Sequence, residues 1–292
     1  MLNATMAKVL IIGCGDLGGE LASQLVRLGV ETIGVRRSGS PLDGVVIIQA
    51  DVTQTVSLEA IKSIEPEILV YCVAANGQTD EQYKAHYVDG LRHVLETQQA
   101  NLKLKHVFFV SSTRVYGQKT YDFLDENDEA LPCDFGGERL LEAEALLNTL
   151  TCSHTVLRLS GIYGAGRLRM INLAKSTEKW PVQNSWTNRI HRDDAAAFMV
   201  FLVMQALEEG SVLIGGVMSS CFIVTDSRPV TQHEVLHWIA NQLHINPPAN
   251  VSSSIHSGKR LSNKAMLATG FKLKYPDYQA GYQALLSDSS QT

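Results

Sequence analysis

The apolar run Val9-Leu10-Ile11-Ile12 is followed at once by Gly13, Gly15 and Gly18, and the helical spacing of Leu17, Leu21, Leu25 and Leu28 begins without a break. Few short stretches restrict a fold so much. In the order strand, turn, helix, a G-x-G-x-x-G spacing has a mechanical meaning. Gly13 permits the tight turn, Gly15 lets the main chain approach a pyrophosphate, and Gly18 lets the helix lie close to the strand. Asp16 and Leu17 open the helix, where unpaired N–H groups and the positive end of the helix dipole face an anion. A dinucleotide is therefore the expected ligand of residues 13–18. A glycine-rich turn that only packs closely is the alternative.

The chain then alternates between strand and helix patterns. Residues 31–35 read as a second strand that ends in Arg36-Arg37-Ser38. At that place an acidic side chain suits the ribose 2′-hydroxyl of NAD, and an arginine suits the 2′-phosphate of NADP. No carboxylate comes before Asp43, so NADP is expected rather than NAD, unless Arg36 and Arg37 are only a solvated loop. The same two arginines argue against S-adenosylmethionine. Residues 45–50 form a third strand that runs into Asp51-Val52. There the carboxylate can sit beside an adenine amino group or cap a helix over 57–64. A fully buried fourth strand spans 67–73. After it, the small residues Ala74 and Ala75 let the middle of a cofactor lie against the main chain. A long helix over 80–100 and a fifth strand over 105–110 complete an α/β pattern. It predicts a Rossmann-like, doubly wound parallel sheet with its ligand crevice at the C-terminal ends of the strands.

At 292 residues, 45% hydrophobic and 19% charged, the chain can bury a sizeable core in one large domain or one and a half. A formal charge of −5 offers no attraction for nucleic acid or an anionic membrane. The five cysteines are scattered and none is in C-x-x-C spacing. No metal site is expected, and Cys14 and Cys72 read as small apolar fillers. Residues 1–8 lack the apolar core of a signal peptide, and no segment is long enough to span a bilayer. The cytoplasm is the expected compartment.

Further along come Ser111-Ser112-Thr113-Arg114-Val115-Tyr116-Gly117 at the end of the fifth strand, then Pro132, a helix over 136–148 and a strand over 155–159. The loop Arg158-Leu159-Ser160-Gly161-Ile162-Tyr163-Gly164-Ala165-Gly166-Arg167 follows, and later Ile190-His191-Arg192-Asp193-Asp194. In this order, over about residues 8–204, the set resembles the extended short-chain dehydrogenase/reductase superfamily, in its NAD-dependent epimerase/dehydratase branch. The resemblance implies a Rossmann-like NAD(P) domain over 7–165 with returning segments 187–225. It implies a smaller C-terminal substrate-binding part over 166–186 and 226–286. It also implies an oxidoreductase or epimerase acting on a small polar substrate such as a sugar or sugar nucleotide, and a homodimer through the helices over 80–100 and 136–148.

The family pattern breaks at its chemical centre. The resemblance implies a Tyr-x-x-x-Lys at the start of the helix after Pro132. Its tyrosine exchanges a proton with the substrate oxygen; its lysine lowers the tyrosine pKa and holds the nicotinamide ribose. An upstream serine that hydrogen-bonds the same oxygen maps to Ser112. The tyrosine and lysine positions, however, read Phe135 and Arg139. Phenylalanine has no proton to exchange. Arg139 keeps a positive charge beside the ribose but differs from lysine in shape. The set looks most like the atypical subgroup of the superfamily, which keeps the cofactor turn and matches the active-site residues poorly. Two readings stay open. One is an enzyme that uses Ser112 and Arg139 with an unassigned proton donor; the other is an NADP-binding protein with little turnover that reports the state of its cofactor to a partner.

Several side chains compete for the missing role. Asp134 and Glu138 flank Phe135 and can point into a cleft, and Asp89 in the long helix can fill a polar place or bond locally. Tyr121 lies on the acidic loop 118–131, which reads as a solvated flap. The resemblance implies structural roles for Tyr116 and Tyr163; His191 can titrate but reads rather as structural, with Asp193 as a helix cap. Arg167, Arg169 and Arg189 suit an anionic substrate or a charged surface equally. Towards the end, helices are expected over 195–206 and 231–243, a strand over 220–224, a short helix beginning at 259–263, and an extended piece over 271–276. Residues 287–292 are expected to be disordered.

Overall fold

The computed structural model describes residues 8–118, 120, 122–214, 217, 218, 220–248, 252 and 254–289. Its main sheet has seven strands: β1 (Lys8–Ile12), β2 (Glu31–Arg36), β3 (Val46–Gln49), β4 (Ile68–Tyr71), β5 (His106–Ser112), β6 (Ser153–Leu159) and β7 (Cys221–Val224). They lie in the order β7-β6-β5-β4-β1-β2-β3. The pairs β1–β2, β1–β4, β2–β3 and β4–β5 are parallel, with Ile11 opposite Gly34 and Val70. From Val9 on, β1 is fully buried, as is all of β4. That explains why these strands read as unbroken apolar runs rather than alternating ones: a strand covered on both faces has no solvent side. The chain reverses direction across the sheet between β1 and β4, which is where a doubly wound sheet opens a crevice for a ligand.

Helix α1 (Asp16–Arg27) connects β1 to β2 and buries Leu17, Leu21 and Leu25. Each contributes roughly 1.5–3 kcal/mol by leaving water. Leu28, expected on the same face, is 53% exposed because the helix has already ended at Arg27. The connection after β3 is a 3₁₀ stretch, Thr55–Ile61, rather than an α-helix over 57–64. The long helix is interrupted: α2 (Asp80–Tyr83) passes through a π segment, Lys84–Asp89, into α3 (Gly90–Thr97). A π segment turns side chains onto a new face, and such segments often mark functional places. Helix α4 (Phe135–Leu146) follows β5.

The chain forms two compact units. One comprises residues 1–117, 130–158 and 196–222; the other comprises 118–129, 159–195 and 223–292. The sequence places these boundaries at 165–166, 186–187 and 225–226 instead. The second unit has its own apolar core, in which Ile171, Trp180, Val235, Leu236, Ile239 and Tyr282 are buried. Its strands Asn184–Thr187, Val230–Thr231 and Ile255–Ser257 form a small sheet.

Several late expectations change. Arg260–Leu261 is a strand paired with Phe123–Leu124, and the short helix begins only at Lys264. Residues 271–276 form no strand; the Asp194 carboxylate instead accepts the N–H groups of Lys274 and Tyr275, both at 2.8 Å. The last helix runs over Tyr278–Ser289, into the stretch expected to be disordered, of which residues 290–292 lie outside the described residues. The acidic loop keeps Asp122, Asp128 and Glu129 exposed, as a solvated flap would, but is anchored where Leu124 is buried and Glu126 accepts the Ile223 N–H at 2.6 Å. Tyr121 falls outside the described residues. No described helix is long and apolar enough to cross a membrane.

Candidate functional site

The three glycines after β1 are there for different reasons. Gly13 has φ +89°, and a Cβ on it would overlap the Cys72 carbonyl, with that carbonyl carbon 2.6 Å away. The turn is fixed by Gly13 N and Cys14 N, which both donate to Val35 O at 2.9 Å. A Cβ on Gly18 would overlap Gly13 O, so close approach of helix to turn requires glycine there too. Gly15 is different. Its φ is −93° and a Cβ would meet no protein atom within 4 Å. The chain's own packing explains Gly13 and Gly18 but not Gly15. Its bare main chain faces open space at the N-cap of α1, where no side chain caps the helix. Asp16 beside it is exposed, and Leu17 is buried, so Leu17 can offer a ligand only its main chain.

The two arginines at the end of β2 part company. Arg36 turns inward: Nη1 donates to Cys14 O at 3.4 Å, and Nη2 donates to Ser40 O and Pro41 O. It braces the glycine turn against the loop after β2. Arg37 stays exposed and donates to Asn76 Oδ1, in the loop after β4. Because β2 and β4 flank β1, this bond crosses the C-terminal end of β1, beside the glycine turn. Asp51 accepts Thr53 N at 2.9 Å and Thr53 Oγ1 at 2.8 Å, closing a local turn. It caps no helix, since the N-cap of the 3₁₀ stretch is Gln54. Burial raises its pKa, but the Thr53 bonds and the nearby charges of Arg37 and His86 outweigh this and leave it lowered. Val52 is buried and gives its carbonyl to His93 Nδ1 at 3.0 Å. Ala74 is exposed and Ala75 half-buried, in the loop that also carries Asn76.

At the end of β5 the geometry assembles a cluster that sequence reasoning missed. Ser112 Oγ accepts Arg114 N at 3.2 Å. The Arg114 side chain reaches across the start of α4, its Nε donating to both oxygens of Asp134 at 2.9 and 3.1 Å. Its Nη1 donates to Gln78 Oε1 at 2.9 Å and to the Tyr83 hydroxyl at 2.7 Å. The guanidinium lies 4.9 Å over the Tyr83 ring and 5.2 Å over the Phe135 ring, and those two rings meet edge-on at 5.5 Å. Gly136 makes room for this, because a Cβ there would overlap the guanidinium. The signal was present in the sequence: an arginine inside the serine motif, and two glycines after Phe135 where a helix would ordinarily avoid them.

Asp134 is the N-cap of α4, accepting Gly137 N at 3.0 Å, so it serves the helix and Arg114 rather than a substrate. Burial works against its charge, yet those hydrogen bonds leave its pKa lowered. Glu138 is exposed. Arg139 is committed: Nε and Nη2 donate to Asp80 at 2.7 and 2.9 Å, and Nη1 donates to Glu142 at 2.6 Å. Those hydrogen bonds raise its pKa further, and Asp80's falls in response.

The other phenols nearby have settled partners. Tyr87 takes the Ala75 N–H, and burial together with the neighbouring Tyr83 pushes its pKa up to about 12. Tyr116 is fully buried and accepts Arg158 Nη1 at 2.6 Å, and Arg158 is paired with Glu144. Asp89 accepts Arg92 Nη1 at 2.7 Å, a local pair.

In the second unit, Tyr163 and His191 belong to the core. Tyr163 stacks on Tyr282 at 4.5 Å and meets His191 edge-on at 5.2 Å. Helix Arg192–Glu209 starts before Asp193, so Asp193 is not its cap. His191 Nδ1 accepts the Asp193 N–H at 3.2 Å in that place. Arg189 is neither a surface charge nor exposed to a substrate: it is 5% exposed, bonded to Thr187 and lying over Tyr278. Arg167 and Arg169 are exposed. No group of three or more potential metal ligands occurs among the described residues.

Comparison with known proteins agrees with this architecture. The family model of the RmlD substrate binding domain matches residues 7–288. A Methylobacillus flagellatus protein whose structure is assigned to the NAD-dependent epimerases/dehydratases is 47% identical. It aligns over 98% of this chain and 99% of its own, with a TM-score of 0.87. More distant structures share the fold. The Bordetella bronchiseptica enzyme WbmG, solved with NAD and UDP, has 18% identity and a TM-score of 0.76 over 96% of this chain and 93% of its own. The dTDP-glucose 4,6-dehydratase of Bacillus anthracis, solved with NAD, has 16% identity and a TM-score of 0.76 over 98% and 97%. No curated protein matches the chain significantly. On the full-length family match and the 47% identity, the chain belongs to the RmlD substrate binding domain family, within the extended short-chain dehydrogenase/reductase superfamily.

Proposed function

We propose that the chain binds NADP(H) on the turn after β1 and works as an epimerase/dehydratase-family oxidoreductase or epimerase on a sugar nucleotide. The observation that carries the coenzyme is Gly15: an uncapped helix start beside a glycine with open space over it. The N–H groups at the helix start and the helix dipole there suit a pyrophosphate. Arg37 supports NADP over NAD, since it stands exposed at the end of β2 where a 2′-phosphate would lie. When bound, the nicotinamide supplies or accepts a hydride. The substrate class is carried over from relatives solved with UDP or UDP-glucose.

What this chain's residues contribute is holding and orientation. Arg36 braces the turn, and Ser112, at the end of β5, offers a hydroxyl to a substrate oxygen. Arg139 would be the ribose-side cation, yet it is tied to Asp80 and Glu142. That pairing, together with Phe135, favours a second reading, an NADP-binding sensor with little turnover. Calorimetric titration with NADPH and NADH tests the proposal. It predicts uptake of NADPH in preference to NADH, with the preference reduced in Arg37→Ala. Absence of heat with either coenzyme refutes it.

A further inference from the structure

The structure assigns the missing proton donor to Tyr83, activated by Arg114; this inference rests on the coenzyme reading above. The phenol belongs to α2 but is held at the crest of the sheet. Its hydroxyl accepts Arg114 Nη1 at 2.7 Å and donates to Gln78 Oε1 at 3.2 Å. Gln78 follows β4 and Arg114 follows β5, so both partners stand at the C-terminal ends of adjacent strands, the side on which doubly wound sheets bind ligands.

Position along the sheet supports the same assignment. With the phosphates held by residues 13–18 and the 2′-position by Arg37, the nicotinamide half would be held from the β4 and β5 ends, where Gln78, Ser112 and Arg114 stand. Tyr83 itself is 7% exposed, whereas Gln78 is exposed and the Arg114 side chain is 29% exposed. The hydroxyl therefore lies one movable side chain beneath the surface. The Tyr83 ring meets the edge of Phe135, whose position the family gives to its tyrosine.

The chemistry needs a positioned proton donor, and a phenol can serve where a fixed cation stands beside it; Tyr83 and Arg114 supply both from different elements. A bound nicotinamide would supply the hydride for a carbonyl carbon, and Tyr83 Oη would give its proton to the carbonyl oxygen. The Tyr O–H bond breaks as the substrate O–H bond forms. The phenolate left behind faces the Arg114 guanidinium, which cannot surrender a proton and acts only as a charge. A solvent proton restores the phenol when Gln78 moves aside, and oxidation runs the same steps in reverse. Asp134 keeps the guanidinium in place through two hydrogen bonds.

The test uses the full chain with 13Cζ-labelled tyrosine. The Tyr83 resonance is assigned by its loss in Tyr83→Phe, a variant that keeps the ring and so the packing. Addition of NADP should shift that resonance; a resonance that stays put while calorimetry registers NADP uptake overturns the assignment and spares the coenzyme reading. NADPH oxidation with a panel of keto sugar nucleotides gives the second readout. Tyr83→Phe should lower kcat about 100- to 10,000-fold with KM within about twofold, the usual scale for losing a general acid. Arg114→Met should fall comparably, and the double variant no further. Unchanged kcat in Tyr83→Phe, or NADPH uptake without turnover of any panel member, overturns it. Absence of coenzyme uptake overturns the coenzyme reading itself.

Discussion

Replacing Gly15 with alanine separates the two reasons a glycine can occupy this turn. Added there, a Cβ meets no protein atom within 4 Å, so the substitution creates no clash in the fold. A cap penalty of about 0.5–1 kcal/mol is then the main cost to folding. At 2–4 °C per kcal/mol for a chain of this size, the midpoint should move by less than about 4 °C. Binding has much to lose, because the methyl occupies the space through which a pyrophosphate would reach the main chain. Loss of one or two charge-assisted hydrogen bonds, each about 1.5–3 kcal/mol, weakens NADPH by at least about tenfold. Gly13→Ala is the counterpart. With φ +89° and an overlap on the Cys72 carbonyl, it should cost at least about 2 kcal/mol and lower the midpoint whether or not coenzyme is present. Thermal melts and coenzyme titration of both variants decide the matter. Gly15→Ala that binds NADPH like the parent, or that melts as low as Gly13→Ala, refutes the reasoning.

Arg37→Ala, at an exposed position, should leave the melting midpoint unchanged while bringing the NADPH and NADH dissociation constants together; equal loss for both coenzymes would count against a 2′-phosphate contact. Burial holds the His106 pKa down to about 4, against 6.5 for the free side chain. Between pH 6.5 and 4 the unfolded chain therefore takes up a proton that the folded one refuses, and stability falls by up to about 3 kcal/mol. Urea unfolding of His106→Gln should show a flatter profile across that window. Asp226 runs the other way: burial raises its pKa to about 7 from 3.8, so stability falls as pH rises through that interval, by up to about 4 kcal/mol. Asp226→Asn should accordingly gain more at pH 8 than at pH 4, and a gain independent of pH would contradict the buried carboxyl.

The doubly wound, parallel class of the main sheet was legible, though not its strand order, because β1 and β4 are covered on both faces and carry unbroken apolar runs, and because Gly13 and Gly18 have only one geometric use in that context. The π segment over Lys84–Asp89 was not: a shift of one residue in helical bonding leaves composition unchanged, so 80–100 reads as a continuous helix. Arg36 and Arg37 look equivalent in sequence, and only the carbonyls of Cys14 and Ser40 separate the brace from the exposed cation. The Arg114 cluster escaped notice for a related reason. Its partners Gln78, Tyr83 and Asp134 lie far from it in the chain, and hydrogen bonds between distant side chains leave no periodic trace. Phe135 was legible as an absence, while the group beside it was not.

If residues 13–18 hold the pyrophosphate of a nicotinamide coenzyme, a crystal structure of the protein grown with NADPH will show phosphate oxygens against the N–H groups at the start of α1 and the 2′-phosphate beside Arg37. Coenzyme bound anywhere else, or a turn that stays empty at saturating NADPH, would contradict that placement.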